Sequence, residues 1–164
     1  MDSGFALRRA AQTDAVFLGD MLVEAANWRA GGMRPRHEVL MSPDHRRYLA
    51  GWKRAADEGL VATGADGVPV GAAWYRMLPQ DAPGLGFVGV AVPELILGVH
   101  PLWRARGVGR ALLRGLIELA GTQGHARISL SVERDNFARN LYRAEGFAVV
   151  AEGLARDTMV RRTA

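Results

Sequence analysis

The 164-residue chain contains no cysteine. That excludes disulfides, thiolate metal sites and a cysteine nucleophile, and it permits a reducing compartment. Lysine is nearly absent as well: Lys53 is the only one, so arginine supplies the rest of the 21 basic residues. A phosphate-binding Walker loop needs lysine directly after a glycine-rich turn, and Lys53 follows none. No apolar run reaches membrane-spanning length; the longest, Leu85 to Val99, is broken by Pro93 and Glu94. The opening Met1-Asp2-Ser3-Gly4 has no basic-then-apolar secretion pattern. These absences predict a cytoplasmic protein without a membrane partner. No serine sits in G-x-S-x-G, and His37-Glu38 lacks the second histidine of H-E-x-x-H. The four histidines are scattered, so no metal site is expected.

What is present is ordinary in amount and informative in order. Hydrophobic residues make up 49% and charged residues 23%, the balance of a folded soluble domain rather than a disordered one. The formal charge of +4 is mildly basic. Acidic residues are interspersed with the arginines and no basic stripe dominates one element, so nucleic acid is not an expected partner. No repeat, linker or low-complexity tract divides the chain, which predicts one domain over residues 1–164.

The hydrophobic patterning predicts strands at Phe5–Ala10, Leu60–Thr63 and Val68–Leu78, the last two joined by a hairpin turn at Gly64-Ala65-Asp66-Gly67. A helix follows the cap Thr13-Asp14 and ends near Trp28, and a second is expected from Asp44 to Gly59. Asn27–His37 and Pro79–Gly86 read as loops. Phe87–Val92 and Leu95–Val99 carry strand-like residues on either side of Pro93, which favours the second as a strand. From Val108, apolar residues at Ala111, Leu112, Gly115, Leu116 and Leu119 give the stripe of a helix lying on a sheet. Arg127–Glu133 alternates strictly, as a half-buried strand does. A short helix capped by Asp135 or Asn136 runs through Leu141 and Tyr142 to Gly146, and strands are expected at Phe147–Ala151 and Thr158–Arg162. The whole describes an α/β domain: a mixed, mostly antiparallel central sheet with helices on both faces.

The chemistry concentrates where an apolar strand meets a basic, glycine-containing turn that opens a helix. A helix start presents unpaired N–H groups and the positive end of a dipole, and glycines let backbone approach a ligand closely. The turn Arg104-Ala105-Arg106-Gly107-Val108-Gly109-Arg110 therefore suits an anion such as a pyrophosphate. A plain tight turn explains the glycines equally well. The dinucleotide fingerprint does not fit, because Leu112 stands where its third glycine belongs.

Arg104-x-x-Gly107-x-Gly109 resembles the [QR]-x-x-G-x-[GA] signature of the GNAT superfamily of acyl-CoA N-acyltransferases. Asn136-Phe-Ala138-Arg-Asn-Leu141-Tyr142, followed by Gly146-Phe147, resembles that family's N-x-x-A-x-x-L-Y…G-F tail, with Asn136 one residue closer to Ala138. The resemblance runs from Glu94 to Phe147. It implies a cofactor-binding core at about residues 94–147 and an acceptor-shaping region at about 11–59. It further implies that the backbone of Leu97, Gly98 and Val99 pairs with the pantetheine arm of acetyl-CoA. The turn Arg104–Arg110 would hold the pyrophosphate, Asn136 would bond the cofactor arm, and Tyr142 would protonate the leaving thiolate. Glu94, beside the cofactor strand, is the candidate base for the amine, its rival role being a solvated strand-edge charge.

The implied activity is direct acetyl transfer to a primary amine, expected to belong to a small molecule. A protein N-terminus or lysine is the alternative acceptor, a CoA-binding regulatory domain the alternative of another class, and a homodimer stays open. Trp28 with Arg29, Arg34 and Arg36 reads as a solvated loop carrying a core tryptophan; the rival reading is a basic lip for an anionic acceptor.

Overall fold

In the computed structural model, residues 4–29 and 31–164 are described. The strands are β1 (Phe5–Arg9), β2 (Glu58–Gly64), β3 (Pro69–Arg76), β4 (Glu94–Val99), β5 (Arg127–Glu133), β6 (Ala148–Glu152) and β7 (Arg156–Arg162). The helices are α1 (Ala15–Ala26), α2 (Arg36–Met41), α3 (Pro43–Arg46), α4 (Val108–Thr122) and α5 (Ala138–Ala144). One seven-stranded sheet runs in the order β1-β2-β3-β4-β5-β7-β6. Every neighbouring pair is antiparallel except β4 and β5.

Two apolar layers follow from strand alternation. On one face, Ala73, Tyr75 and Leu95 pack with Leu112, Leu113 and Leu116 of α4 and with Tyr142 and Phe147. On the other, Ala72 and Trp74 pack with Leu18, Met21 and Leu22 of α1 and with Tyr48 and Trp52. β3 is buried on both sides and reads as a continuous apolar run for that reason. Gly98 admits α1: a Cβ there would collide with the backbone carbonyl of Met21. The glycine that sequence reasoning gave to the cofactor strand is thus also where helix and sheet backbones touch.

Two expected elements are corrected. The helix expected from Asp44 to Gly59 ends at Arg46, residues 47–51 are turns, and Glu58 and Gly59 already belong to β2. The cause is tertiary. Buried Arg76 on β3 makes a forked pair with Asp57, at 3.1 and 3.0 Å, and also donates to the Arg47 carbonyl at 3.0 Å. Asp57 in turn accepts from the Arg54 N–H at 2.7 Å. A straight helix could not bring residues 47 and 57 to one guanidinium. Phe87–Val92 forms no strand and Glu94–Val99 does, as Pro93 led us to expect. Within the loop read at Asn27–His37, residues from Arg36 onward form α2.

Candidate active site

β4 and β5 share a single registered pair, Glu94 with Ser129. Beyond it the strands diverge, and a cavity of about 1030 Å³ opens between residues 95–99 on one side and 130–133 on the other. The β5-facing backbone of β4 is thereby released from the sheet and available to an extended ligand. Leu97, Gly98 and Val99 all line this cavity.

Where β4 ends, a 3-10 turn (Pro101–Trp103) leads into the basic turn and α4. Gly107 caps α4 with φ 85, and Ala105 stands at φ 60, a left-handed conformation uncommon for a residue with a Cβ. The first turn of α4, which leaves N–H groups without intrahelical partners, opens directly from this turn. Arg104, Ala105, Gly107, Gly109 and Arg110 line the cavity. A Cβ at Gly107 would meet nothing, and one at Gly109 would make only ordinary contacts with Leu141, Val99 and Leu97. These glycines therefore leave space on the cavity side instead of easing internal packing. Val108, the first residue of α4, is buried in the core, so its part in the turn is its backbone.

The arginine charges expected there are partly spent. Arg104 pairs with Glu24 of α1 at 3.2 Å, and Arg110 with Glu145 at 3.0 Å. Arg106 lies over the Trp103 ring and does not line the cavity. The cradle is therefore mainly backbone, with Arg104 and Arg110 at its rim. Asn136 lines the cavity, and its Oδ1 accepts the N–H of Ala138, the first residue of α5, at 2.9 Å.

Tyr142 projects from α5 into the same cavity, its ring edge-on to Phe147. Burial pushes its hydroxyl well above the ordinary phenol range, so it stays protonated at neutral pH. Glu94 is placed differently from the sequence expectation. It is 2% exposed and absent from the cavity wall. Alternation along β4 puts it on the α1 face, opposite Tyr142. Its Oε1 accepts from the Tyr48 hydroxyl at 2.5 Å and the Gly86 N–H at 2.6 Å, while Oε2 is buried with no partner. Burial raises its pKa against the opposing Tyr48 and Gly86 bonds. It is not a solvated edge charge, and its hydrogen-bond partner Tyr48 is the residue that lines the cavity.

The far end of the cavity joins two residues of the expected lip, Trp28 and Arg34, to residues for which the sequence suggested no role at a site. Tyr48 and His45, inside the misread helix, line it together with Trp28, Arg34, Asp44 and Arg156. Trp28 is no core residue: its indole N–H donates to Glu133 Oε2 at 2.5 Å, fastening the segment after α1 to the end of β5. Arg156 donates to Ser131 Oγ at 2.8 Å and pairs with Glu133 at 3.3 Å. Arg29 stacks over the Trp28 ring at 4.6 Å and pairs with Asp135 at 3.6 Å, without lining the cavity itself. Desolvation lowers the pKa of His45, assisted by Arg34 and Arg156 against Asp44 and Glu133, so the imidazole is neutral at pH 7. No spacing in the sequence distinguished His45 or Tyr48 from core positions of an amphipathic helix.

A cavity opens between a split pair of parallel strands, with a helix N-terminus and a tyrosine on its wall, and its shape and lining suit an extended ligand. The profile of the acetyltransferase (GNAT) family matches residues 22–147, and the chain belongs to this family. A mycothiol acetyltransferase from Beutenbergia cavernae is 33% identical over 129 residues, covering 77% of this chain and 40% of that protein. The chain spans less than half the length of the curated relatives it matches. Among solved structures, the PaiA N-acetyltransferase from Thermoplasma acidophilum in complex with coenzyme A superposes with a TM-score of 0.68 at 18% identity, covering 99% of both chains. A chimera of the spermidine N-acetyltransferase SpeG from Vibrio cholerae superposes with a TM-score of 0.66 at 16% identity, covering 98% of this chain and 96% of that one.

Proposed function

We propose that this domain transfers an acetyl group from acetyl-CoA directly to a primary amine of a small molecule. The observation that carries the reading is the single cavity joining the α4 N-terminal turn, the released backbone of β4, Tyr142 and a polar far end containing His45. Residues 94–147 supply the donor half and residues 11–59 most of the acceptor wall. The relatives named for mycothiol and spermidine acetylation support a small acceptor.

Acetyl-CoA supplies the acyl group as a thioester. The turn N–H groups, with Arg104 and Arg110 at the rim, hold the pyrophosphate, and Leu97–Val99 align the pantetheine arm by backbone pairing. His45, neutral and open to the cavity, takes the proton of the acceptor ammonium. An alkyl ammonium with pKa about 10.4 is overwhelmingly charged at pH 7, so this step needs a base. The freed nitrogen attacks the carbonyl; the C–N bond forms and the C–S bond breaks. Tyr142 donates its hydroxyl proton to the leaving sulfur and regains one from the acylated nitrogen through water. Glu94 acts as a positioning residue: through Tyr48 it fixes the wall beside His45.

Ser131 accepts from Arg156, and no imidazole or carboxylate bonds it among the described residues, so nothing activates it as an acyl carrier. The decisive experiment measures CoA release from acetyl-CoA against small amines, polyamines, aminoglycosides and amine-bearing peptides. Turnover on a small amine with sequential kinetics is expected. Binding of acetyl-CoA without transfer to any amine would replace this reading with a regulatory one.

A further inference from the structure

Four arginines line the cavity: Arg34, Arg104, Arg110 and Arg156. Three are neutralised by carboxylates, Arg104 by Glu24, Arg110 by Glu145 and Arg156 by Glu133. Arg34 has no carboxylate partner among the described residues; its guanidinium makes one bond of 3.3 Å to the Ala26 carbonyl. Its backbone is nonetheless pinned. Buried Asn27 donates from Nδ2 to the Arg34 carbonyl at 2.9 Å and accepts the Arg34 N–H at Oδ1 at 3.0 Å. A buried asparagine spent on both backbone groups of one arginine fixes where that arginine leaves the chain. Facing the same end, Asp44 lines the cavity with no basic partner among the described residues, and His45 adjoins it in sequence.

An unpaired guanidinium is a planar fork matched to a carboxylate or phosphate. An unpaired carboxylate attracts an ammonium. Placed at one end of one cavity, the two describe a ligand carrying both charges. We infer that the acceptor is a zwitterionic amine, its carboxylate or phosphate held by Arg34 and its ammonium drawn toward Asp44 and His45. The inference rests on the acetyltransferase reading and names the substrate class for that site. It also explains why the cavity's charge is balanced everywhere except at these two residues.

The test uses matched amines with and without the anion: glucosamine 6-phosphate against glucosamine, and phenylalanine against phenethylamine. Wild type should favour an anionic member in kcat/KM, and the better pair tells phosphate from carboxylate. Arg34→Gln should reduce that preference by about tenfold or more, the range of a lost charge-assisted hydrogen bond, with KM for acetyl-CoA unchanged. Arg46→Gln, on exposed α3 and off the cavity wall, should leave the preference intact. A wild type indifferent to the anion, or an Arg34→Gln effect on acetyl-CoA instead of the acceptor, overturns the inference. If no amine is acetylated, calorimetric titration of the same pairs into the CoA complex decides separately. Tighter binding of the anionic member that Arg34→Gln abolishes upholds the assignment while the transfer reading fails; equal binding of both members overturns it.

Discussion

The Tyr48 hydroxyl donates to Glu94 Oε1 at 2.5 Å, and this bond separates the buried carboxylate from the cavity. Tyr48 also accepts the Leu85 N–H at 2.8 Å, while Gly86 donates to the same Glu94 oxygen. One carboxylate thus stitches β4, the segment after α3 and the loop before β4 into one wall.

Glu94→Gln tests the buried carboxyl through pH. Its folded pKa lies above the ordinary carboxylate value because burial disfavours the charge. The folded state therefore holds a proton that the unfolded chain has lost. The stabilising contribution is complete below the unfolded pKa and disappears as pH rises through the folded one. Urea melts of both proteins at pH 4.5 and pH 8 should show wild type losing stability relative to the glutamine variant at the higher pH. The opposite trend would mean the carboxylate is stabilised as a charge.

His45→Asn tests the base. Because desolvation and the flanking Arg34 and Arg156 lower its pKa, wild-type kcat/KM should hold until pH falls below the ordinary histidine range. The variant should lose about 10²-fold at pH 7 and recover as pH rises toward the amine's own pKa. A parallel profile for both proteins assigns deprotonation elsewhere.

Tyr142→Phe removes one hydroxyl and almost no volume from the cavity wall. Turnover should fall by about 10²-fold or more, while calorimetry finds acetyl-CoA affinity unchanged. Equal turnover removes Tyr142 from proton transfer to sulfur.

Gly109→Val places branched methyls where the glycine leaves the cavity open, with only ordinary contacts for its Cβ. Acetyl-CoA should raise the melting temperature of wild type, since a ligand bound only by the folded state stabilises it. It should not raise that of the variant, whose own melting should stay close to wild type. A full shift in the variant would place the pyrophosphate elsewhere.

Arg76→Met leaves Asp57 buried beneath β3 without its forked partner. Breaking such a pair from one side costs about 3–5 kcal/mol, readable as a lower urea midpoint. Since the pair also holds Arg47, next to Tyr48 in sequence, acceptor KM should rise in whatever fraction remains folded.

The elements around residues 94–147 were legible in the sequence because their pattern is local. A strand, a turn that needs left-handed backbone and a helix N-terminus are specified within Leu97–Leu113, and their relation follows from chain continuity. The alternation of Arg127–Glu133 and the stripe of α4 were readable because each repeats its period over several turns or pleats. The far end of the cavity was not. Whether residues 47–57 continue a helix depends on a guanidinium that β3 delivers from beyond them in the chain. Whether Glu94 faces the cavity depends on one residue of register and on a tyrosine 46 positions earlier. The fate of Trp28 depends on Glu133, 105 residues away. Local propensity and periodicity determined most of the elements and the glycine-containing turn before α4. The splitting of β4 from β5, and the choice of which charges face the gap unpaired, were decided by contacts between segments distant in sequence, whose energies no local pattern records.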